Sequence, residues 1–285
     1  MLSFAPHSTR RILDATLGLG GHAYSLLEQH PGASLLAFDR DEAAIAEART
    51  RLQPFEGRVE IRHSDFRDGL EGLVPRSVCY ALADLGVSSL QLDDAERGFS
   101  FRFEAPLDMR MDPRGGRSAS DILNTASEHE LERILSEYGE EPKARAIARS
   151  IVMERRTRRR WTTSAFATLV RRDARGRPGL DPSTRAFQAL RIATNDELQN
   201  LDRGLERLAH LLRRGGRLAV IAFHSLEDRI VKNVFRSLKQ TGEFRLLTPK
   251  PIVPQADEER ANPRSRSARL RVIERGGGRE GEGVA

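Results

Sequence analysis

The feature that most constrains this chain is a rhythm over its first third: short apolar runs, each ending at an acid, separated by stretches of helical spacing. Ile12 and Leu13 lead into Asp14-Ala-Thr-Leu-Gly18-Leu-Gly20-Gly21-His22, after which Tyr24, Leu26 and Leu27 begin a helix. The unit spelled is strand, glycine turn, helix. Residues 34–38 form a second apolar run ending at Asp39, and Ala44, Ile45, Ala48 and Leu52 follow at helical spacing. Val59–His63 and residues 80–83 are two more strands, leading to Asp65 and Asp84. Strands alternating with helices bury both faces of a parallel sheet. The expected fold class is therefore α/β, a Rossmann-like doubly wound sheet.

Beyond Asp93 the strand rhythm stops, and the periodic segments are helical until about Leu212. Ser127 with Glu130 reads as a capping box ahead of Leu131, Ile134, Leu135 and Tyr138. Pro142 opens another helix with Ile147, Ile151 and Val152 inward, and Thr163 caps a third carrying Phe166, Leu169 and Val170. Asn195 reads as the cap of a long helix through Leu198, Leu201, Leu205, Leu208 and Leu212, closed by the basic turn and glycine stop Arg213-Arg-Gly-Gly216. Strands resume at 218–223, 244–247 and 268–273, with Ser225 and Asp228 capping the helix between the first two. The expected organisation is a discontinuous sheet domain, 1–93 and 183–275, an all-helical insert at 94–182 that recognises the substrate, and a disordered tail at 276–285.

Composition narrows the class. No apolar run reaches membrane-spanning length, the first residues carry no secretory signal, and the single cysteine, Cys79, cannot form an internal disulfide. A soluble, cytoplasmic protein is expected. The net charge is +6, and only four of the 47 basic residues are lysines. Arginine forks onto phosphates and stacks on bases, which suits a nucleic-acid partner, although a GC-rich genome would give the same bias. The seven histidines are scattered and no metal-ligand spacing occurs, so no metal site is expected.

A glycine turn after a first strand lets backbone approach a ligand, and an acid ending the second strand can hold a ribose diol. Gly18, Gly20 and Gly21 with Asp39 meet both conditions, which fits any adenosine-bearing cofactor. The turn is not the full G-x-G-x-x-G that sets a helix on a pyrophosphate, and this tilts the choice from NAD to S-adenosylmethionine (SAM), which has no phosphate. Asp65-Phe66 offers a carboxylate for an adenine amine and a ring for its face, although a lone Phe66 is more often core. Asp84 and the stretch His224-Ser-Leu-Glu-Asp228-Arg229 end later strands on the same edge. In the insert, Arg155, Arg156, Arg158, Arg159 and Arg160 beside Trp161 suit RNA phosphates and a stacked base, with a solvated loop as the plain alternative. Arg264 and Arg266 lie in a second basic stretch with the same two readings.

Longer strings carry more. Asp84-Leu-Gly-Val-Ser-Ser-Leu-Gln-Leu-Asp93, Arg97-Gly-Phe-Ser-Phe101, Pro106-Leu-Asp-Met-Arg-Met-Asp112, Thr184-Arg-Ala-Phe-Gln-Ala-Leu-Arg-Ile192, Phe223-His-Ser-Leu-Glu-Asp-Arg-Ile-Val-Lys232 and Asn262-Pro-Arg-Ser-Arg-Ser-Ala-Arg-Leu-Arg271 together resemble the RsmH family, also called MraW. The resemblance spans about residues 12 to 274. It implies SAM-dependent methylation of N4 of one cytidine in the decoding region of small-subunit (16S) ribosomal RNA. It also implies SAM contacts from Gly20, Gly21, His22, Asp39, Phe66, Asp84 and Gln91, and a partner in the 30S subunit. The chain departs from the pattern in three places. The family's His-x-Pro-Val-like segment ahead of the first strand has no counterpart here, its Asp-Gly-Thr reads Asp14-Ala15-Thr16, and its Ser-Ser-Pro-Gln reads Ser88-Ser89-Leu90-Gln91.

For the chemistry, Asp84 or a backbone carbonyl in 85–89 is expected to accept from the target amine, with His224 or Asp228 orienting it or taking its proton. Two other readings stay open at this point: a non-catalytic RNA-binding or assembly factor on the same fold, and a nicotinamide-dependent oxidoreductase. Whether the chain works as a monomer or a homodimer is left open by the sequence.

Overall fold

The computed structural model describes residues 1–174 and 181–276. In chain order its elements are β1 (Arg11–Asp14), α1 (Gly21–Gln29), β2 (Ser34–Asp39), α2 (Glu42–Leu52), β3 (Val59–His63), α3 (Phe66–Gly69), β4 (Val78–Asp84), α4 (Ser89–Asp93), α5 (Ala119–Thr125), α6 (Glu128–Glu137), α7 (Ala144–Glu154), α8 (Thr163–Asp173), α9 (Ser183–Asn195), α10 (Leu201–Leu211), β5 (Leu212–Ala222), α11 (Ser225–Gln240), β6 (Phe244–Leu246), α12 (Ala256–Ala261) and β7 (Arg269–Arg275). The chain divides into two compact units, Met1–Gly86 with Leu198–Ala285, and Val87–Glu197. The tail expected at 276–285 lies, apart from Gly276, outside the described residues.

In the first unit, seven strands form one sheet in the order β3-β2-β1-β4-β5-β7-β6. The pairs from β3 to β5 are parallel, whereas β7 runs antiparallel to both β5 and β6. Neighbouring side chains on a strand point to opposite faces, and here both faces are covered. Leu13, Phe38, Ala81 and Val220 pack with Leu205 and Leu208 of α10 and Phe235 of α11. Ile12, Ala37, Tyr80, Leu82 and Ala219 pack with Leu26 and Leu27 of α1 and Leu52 of α2. That double burial is why these strands read as unbroken apolar runs. From β1 the chain goes outward to β2 and β3 and then crosses back to β4, so the strand order reverses between β1 and β4. Ligands of open α/β sheets bind at the carboxyl ends of the strands flanking such a reversal.

The second unit is helical, with a core that includes Leu107, Met109, Ile122, Leu131, Ile147, Trp161, Phe166 and Leu190. It begins earlier and ends later than the stretch 94–182, because α9 turns Ala186, Phe187, Ala189 and Leu190 into that core.

Three local expectations need correction. The helix expected from Asn195 to Leu212 is broken: Asn195 ends α9, Asp196 and Asn200 take left-handed φ of 49° and 55°, and α10 starts only at Leu201. The Asn195 amide is committed to a loop instead, donating to Met109 O at 2.7 Å while its Oδ1 accepts from Met111 N at 2.7 Å. The run Arg213–Gly216 is not a helix stop, since β5 follows α10 directly and takes up the glycines at a register shift opposite Val78 and Tyr80. The cap of α11 is His224, with Glu227 returning the contact, rather than Ser225 with Asp228.

Candidate active site

Asp14 and Asp84 end β1 and β4, the two strands that flank the reversal. The backbone stitches them together: Ala15 N–H donates to Leu82 O at 2.8 Å, and Asp84 N–H donates to Thr16 Oγ1 at 2.6 Å. Asp14 is fully buried, its Oδ1 accepts from Thr16 N–H at 3.1 Å, and its Oδ2 has no hydrogen-bond partner among the described residues. Asp84 offers Oδ2 to His22 Nε2 at 3.4 Å, and its buried Oδ1 has no hydrogen-bond partner among the described residues. Two carboxylate oxygens out of water with nothing donating to them are costly unless something cationic or hydrogen-bonding completes them.

The electrostatics follow from this crowding. Burial, partly offset by His22 and the Thr16 N–H and reinforced by the charges of Asp84 and Asp39, pushes the Asp14 carboxyl up to about 7. The hydrogen bond to Asp84 raises the His22 imidazole above its ordinary range against the opposing effect of burial, and the charges of Asp84 and Asp14 add to it.

The glycine turn lies beside these acids. Gly18 and Gly20 take φ of 51° and 75°, values that L side chains rarely adopt. A Cβ on Gly18 would meet nothing within 4 Å, so the turn is open there. Asp39 closes the turn from β2: its Oδ2 accepts from Gly18 N–H at 2.7 Å and its Oδ1 from Asp41 N–H at 2.9 Å. Each oxygen keeps a second lone pair for a diol. Gly20 caps α1, whose first turn carries Gly21 and His22.

Other expected site residues fare differently. Phe66 is only 7% exposed, and its ring wedges against Gly204 of α10, where a Cβ would lie 2.9 Å from it. It is a core residue. Its neighbour Asp65 caps α3 and is gripped by Arg67 at 2.8 and 2.6 Å, with Arg40 at 3.4 Å. Burial alone would raise the Asp65 carboxyl, but the hydrogen bonds and charge of Arg67 and the charge of Arg40 hold it below its ordinary range.

Asp228 is not poised for proton transfer, because both its oxygens are occupied. Arg271 donates to Oδ1 at 2.6 Å and to Oδ2 at 3.1 Å, and Arg269 donates to Oδ2 at 3.2 Å. Burial is outweighed by these hydrogen bonds and charges, which keep its carboxyl low. His224 accepts from Glu227 N–H through Nδ1 at 3.4 Å. Its buried Nε2 lies 3.2 Å from Glu227 Oε1 but without hydrogen-bond geometry. With Nδ1 accepting, Nε2 carries the proton, and its donor direction is unfilled among the described residues.

In the helical unit, Gln91 is buried and completes a reciprocal cap: its Oε1 accepts from Ser88 N–H at 2.9 Å while Ser88 Oγ accepts from its own N–H. Trp161 does not form a base-stacking platform. It is 2% exposed, its Nε1 donates to Asn124 Oδ1 at 3.1 Å, and its ring packs edge-on to Phe166. Arg155 is turned inward to the carbonyls of Ala126 and Leu123, and Arg158 lies over the Trp161 ring with Glu154 beside it. Arg156, Arg159 and Arg160 are exposed, with no ion-pair partner among the described residues. In the first unit, Arg264 and Arg266 are exposed on a 3-10 turn, Pro263–Ser267, on either side of buried Ser265.

Asp14 is the residue that sequence reasoning missed. It was written at the head of the glycine turn, but only its burial and its unfilled oxygen mark it as part of the site.

A doubly wound sheet with a reversed last strand, a glycine turn and an anionic, cation-hungry edge at its switch point defines a SAM-dependent methyltransferase. The chain belongs to the MraW methylase family, whose description matches residues 2–276. A curated relative from Citrifermentans bemidjiense, ribosomal RNA small subunit methyltransferase H, is 47% identical over 96% of this chain and 95% of its own length. Relatives of the same name from a Cyanothece strain and from Thermomicrobium roseum are 50% and 48% identical, over 92% and 95% of this chain and 87% and 89% of theirs.

The residues fit SAM on a point independent of family. SAM carries an ammonium and a sulfonium, and the edge presents two buried carboxylate oxygens without donors.

Proposed function

We propose that this protein transfers the methyl group of SAM to N4 of a cytidine in the decoding region of 16S ribosomal RNA, acting on the small subunit in the cytoplasm. The observation that carries the reading is a pair of buried carboxylate oxygens, one on Asp14 and one on Asp84, with no donor among the described residues, at the strand reversal beside the glycine turn. In it, Asp39 holds the ribose diol, the turn at Gly20, Gly21 and His22 bounds the nucleoside, and Asp14 meets positive charge.

When bound, SAM supplies an electrophilic methyl group on sulfur and leaves as a neutral thioether. The chain must supply the rest. A cytosine amine is a weak nucleophile because its lone pair is delocalised into the ring, so alignment carries much of the barrier. Asp84 accepts a hydrogen bond from the amine, fixing the direction of its lone pair, and the amine proton passes to Asp84 as the N–C bond forms. His22, held by Asp84, keeps that carboxylate oriented. His224 contributes an Nε2–H that orients the base. Gln91 acts by holding the 88–91 turn in shape, and Arg156, Arg159, Arg160, Arg264 and Arg266 contact RNA phosphates. Methylation at ring carbon five would call for a cysteine nucleophile. The single cysteine, Cys79, is buried inside β4 with Arg10 N–H on its sulfur.

The test is to incubate small subunits lacking the modification with methyl-labelled SAM and to digest the RNA to nucleosides. A single N4-methylated cytidine in the decoding region is expected. Label on ring carbon five, or no label at all, contradicts the reading.

A further inference from the structure

On the first unit, α11 and the segment between β6 and β7 border a cavity of about 240 Å³. Asp228, Lys232 and Arg236 stand one turn apart along α11 and face it, with Lys250 opposite and Phe235, Leu246 and Pro251 as its apolar lining. Asp228 is already neutralised by Arg271 and Arg269. Lys232, Arg236 and Lys250 have no ion-pair partner among the described residues, whereas the arginines of β6 and β7 nearby do: Arg245 pairs with Glu274, and Arg275 with Glu243. Three uncompensated cations around one concavity attract an anion, and the Asp228–Arg271 pair keeps its floor fixed.

The cavity is smaller than the roughly 300–1,000 Å³ of sites that enclose whole ligands, so it suits one group of a larger molecule. Its rim is apolar and stiff: Pro249 and Pro251 border it, and Ile252 and Val253, 47% and 57% exposed, follow directly. Charge within and apolar surface at the lip match a nucleotide, with its phosphate on the cations and its ribose or base on the rim.

We propose that Lys232, Arg236 and Lys250 form an anchoring site for a backbone phosphate of the substrate ribosomal RNA, separate from the site of methyl transfer. This rests on the reading of the protein as a ribosomal RNA methyltransferase.

The test compares the wild type with Lys232→Gln/Arg236→Gln/Lys250→Gln and with a control of equal charge loss, Arg10→Gln/Arg49→Gln/Lys239→Gln. Filter binding to unmodified small subunits is measured across a salt series, alongside SAM affinity and thermal unfolding. The anchoring variant is expected to bind subunits about 10-fold more weakly, with a salt slope shallower by roughly 1. Its SAM affinity and melting should be unchanged, and the control should behave as the wild type. Equal subunit binding and slope in the anchoring variant and the control overturns the proposal, as does a parallel loss of SAM affinity. A wild type that binds subunits but transfers no methyl would defeat the function proposed above, while the binding comparison would still decide this one.

Discussion

His22 Nε2 lies 3.4 Å from Asp84 Oδ2, so the first turn of α1 is tied to the end of β4 across the strand reversal. The contact leaves Asp84 Oδ1 unfilled. Replacing His22 by Ala frees the carboxylate to rotate without removing it. The expected outcome is a fall in kcat of about 10-fold to 100-fold from lost orientation, with a smaller change in KM for the RNA. His22→Gln, which can still donate, should recover part of it. Steady-state kinetics on unmodified subunits checks both.

Asp14 sets a pH dependence. Its folded pKa of about 7 lies above the ordinary 3.8, so between those values the folded chain holds a proton that the unfolded chain has released. Its contribution to stability therefore falls as pH rises through that window and the penalty is complete above about pH 7. Asp14→Asn should raise the melting temperature of the SAM-free protein more at about pH 8 than at about pH 5. Bound positive charge favours the ionised form, so SAM binding near pH 7 should release a fraction of a proton. Calorimetry in buffers of different ionisation enthalpy should show that release in the wild type and not in Asp14→Asn.

Asp228 is predicted to be structural. Its side chain and that of Arg271 are each 9% exposed, and removing one buried partner strands the other at a cost of about 3–5 kcal/mol. Asp228→Ala should unfold at clearly lower denaturant, while folded material keeps its rate of transfer at saturating substrate. A rate loss larger than the loss of folded protein would restore Asp228 to the chemistry.

The arginines after α7 and the indole beside them should separate cleanly. Trp161→Ala removes a buried ring and should cost about 3–5 kcal/mol of stability. Arg159→Gln/Arg160→Gln should leave denaturant midpoints unchanged and weaken RNA binding, with a shallower salt dependence. Denaturant titration and filter binding measure the two effects.

The sheet was legible because strands buried on both faces must be apolar along their length, and Ile12, Ala37 and Leu82 follow that rule. The acids Asp39 and Asp84 were legible because each closes such a run. Asp14 closes one as well, but its oxygen without a donor is a property of the packing around it. The pairing of Asp228 with Arg271 was hidden for a different reason: 43 residues separate them, and only the antiparallel return of β7 beside β5 brings them together. Trp161 beside five arginines looked like a stacking platform because sequence shows adjacency but not which way a ring faces. The break between α9 and α10 was masked by leucines that continue at helical spacing on either side of it.

The central claim, that Asp84 at the strand reversal directs methyl transfer, is tested most directly by single-turnover transfer of labelled methyl to unmodified small subunits with wild type and Asp84→Asn. SAM affinity is measured beside it. The account predicts that Asp84→Asn transfers at least about 100-fold more slowly, with a smaller loss of SAM affinity and unchanged binding of subunits. Transfer at the wild-type rate by Asp84→Asn would contradict it.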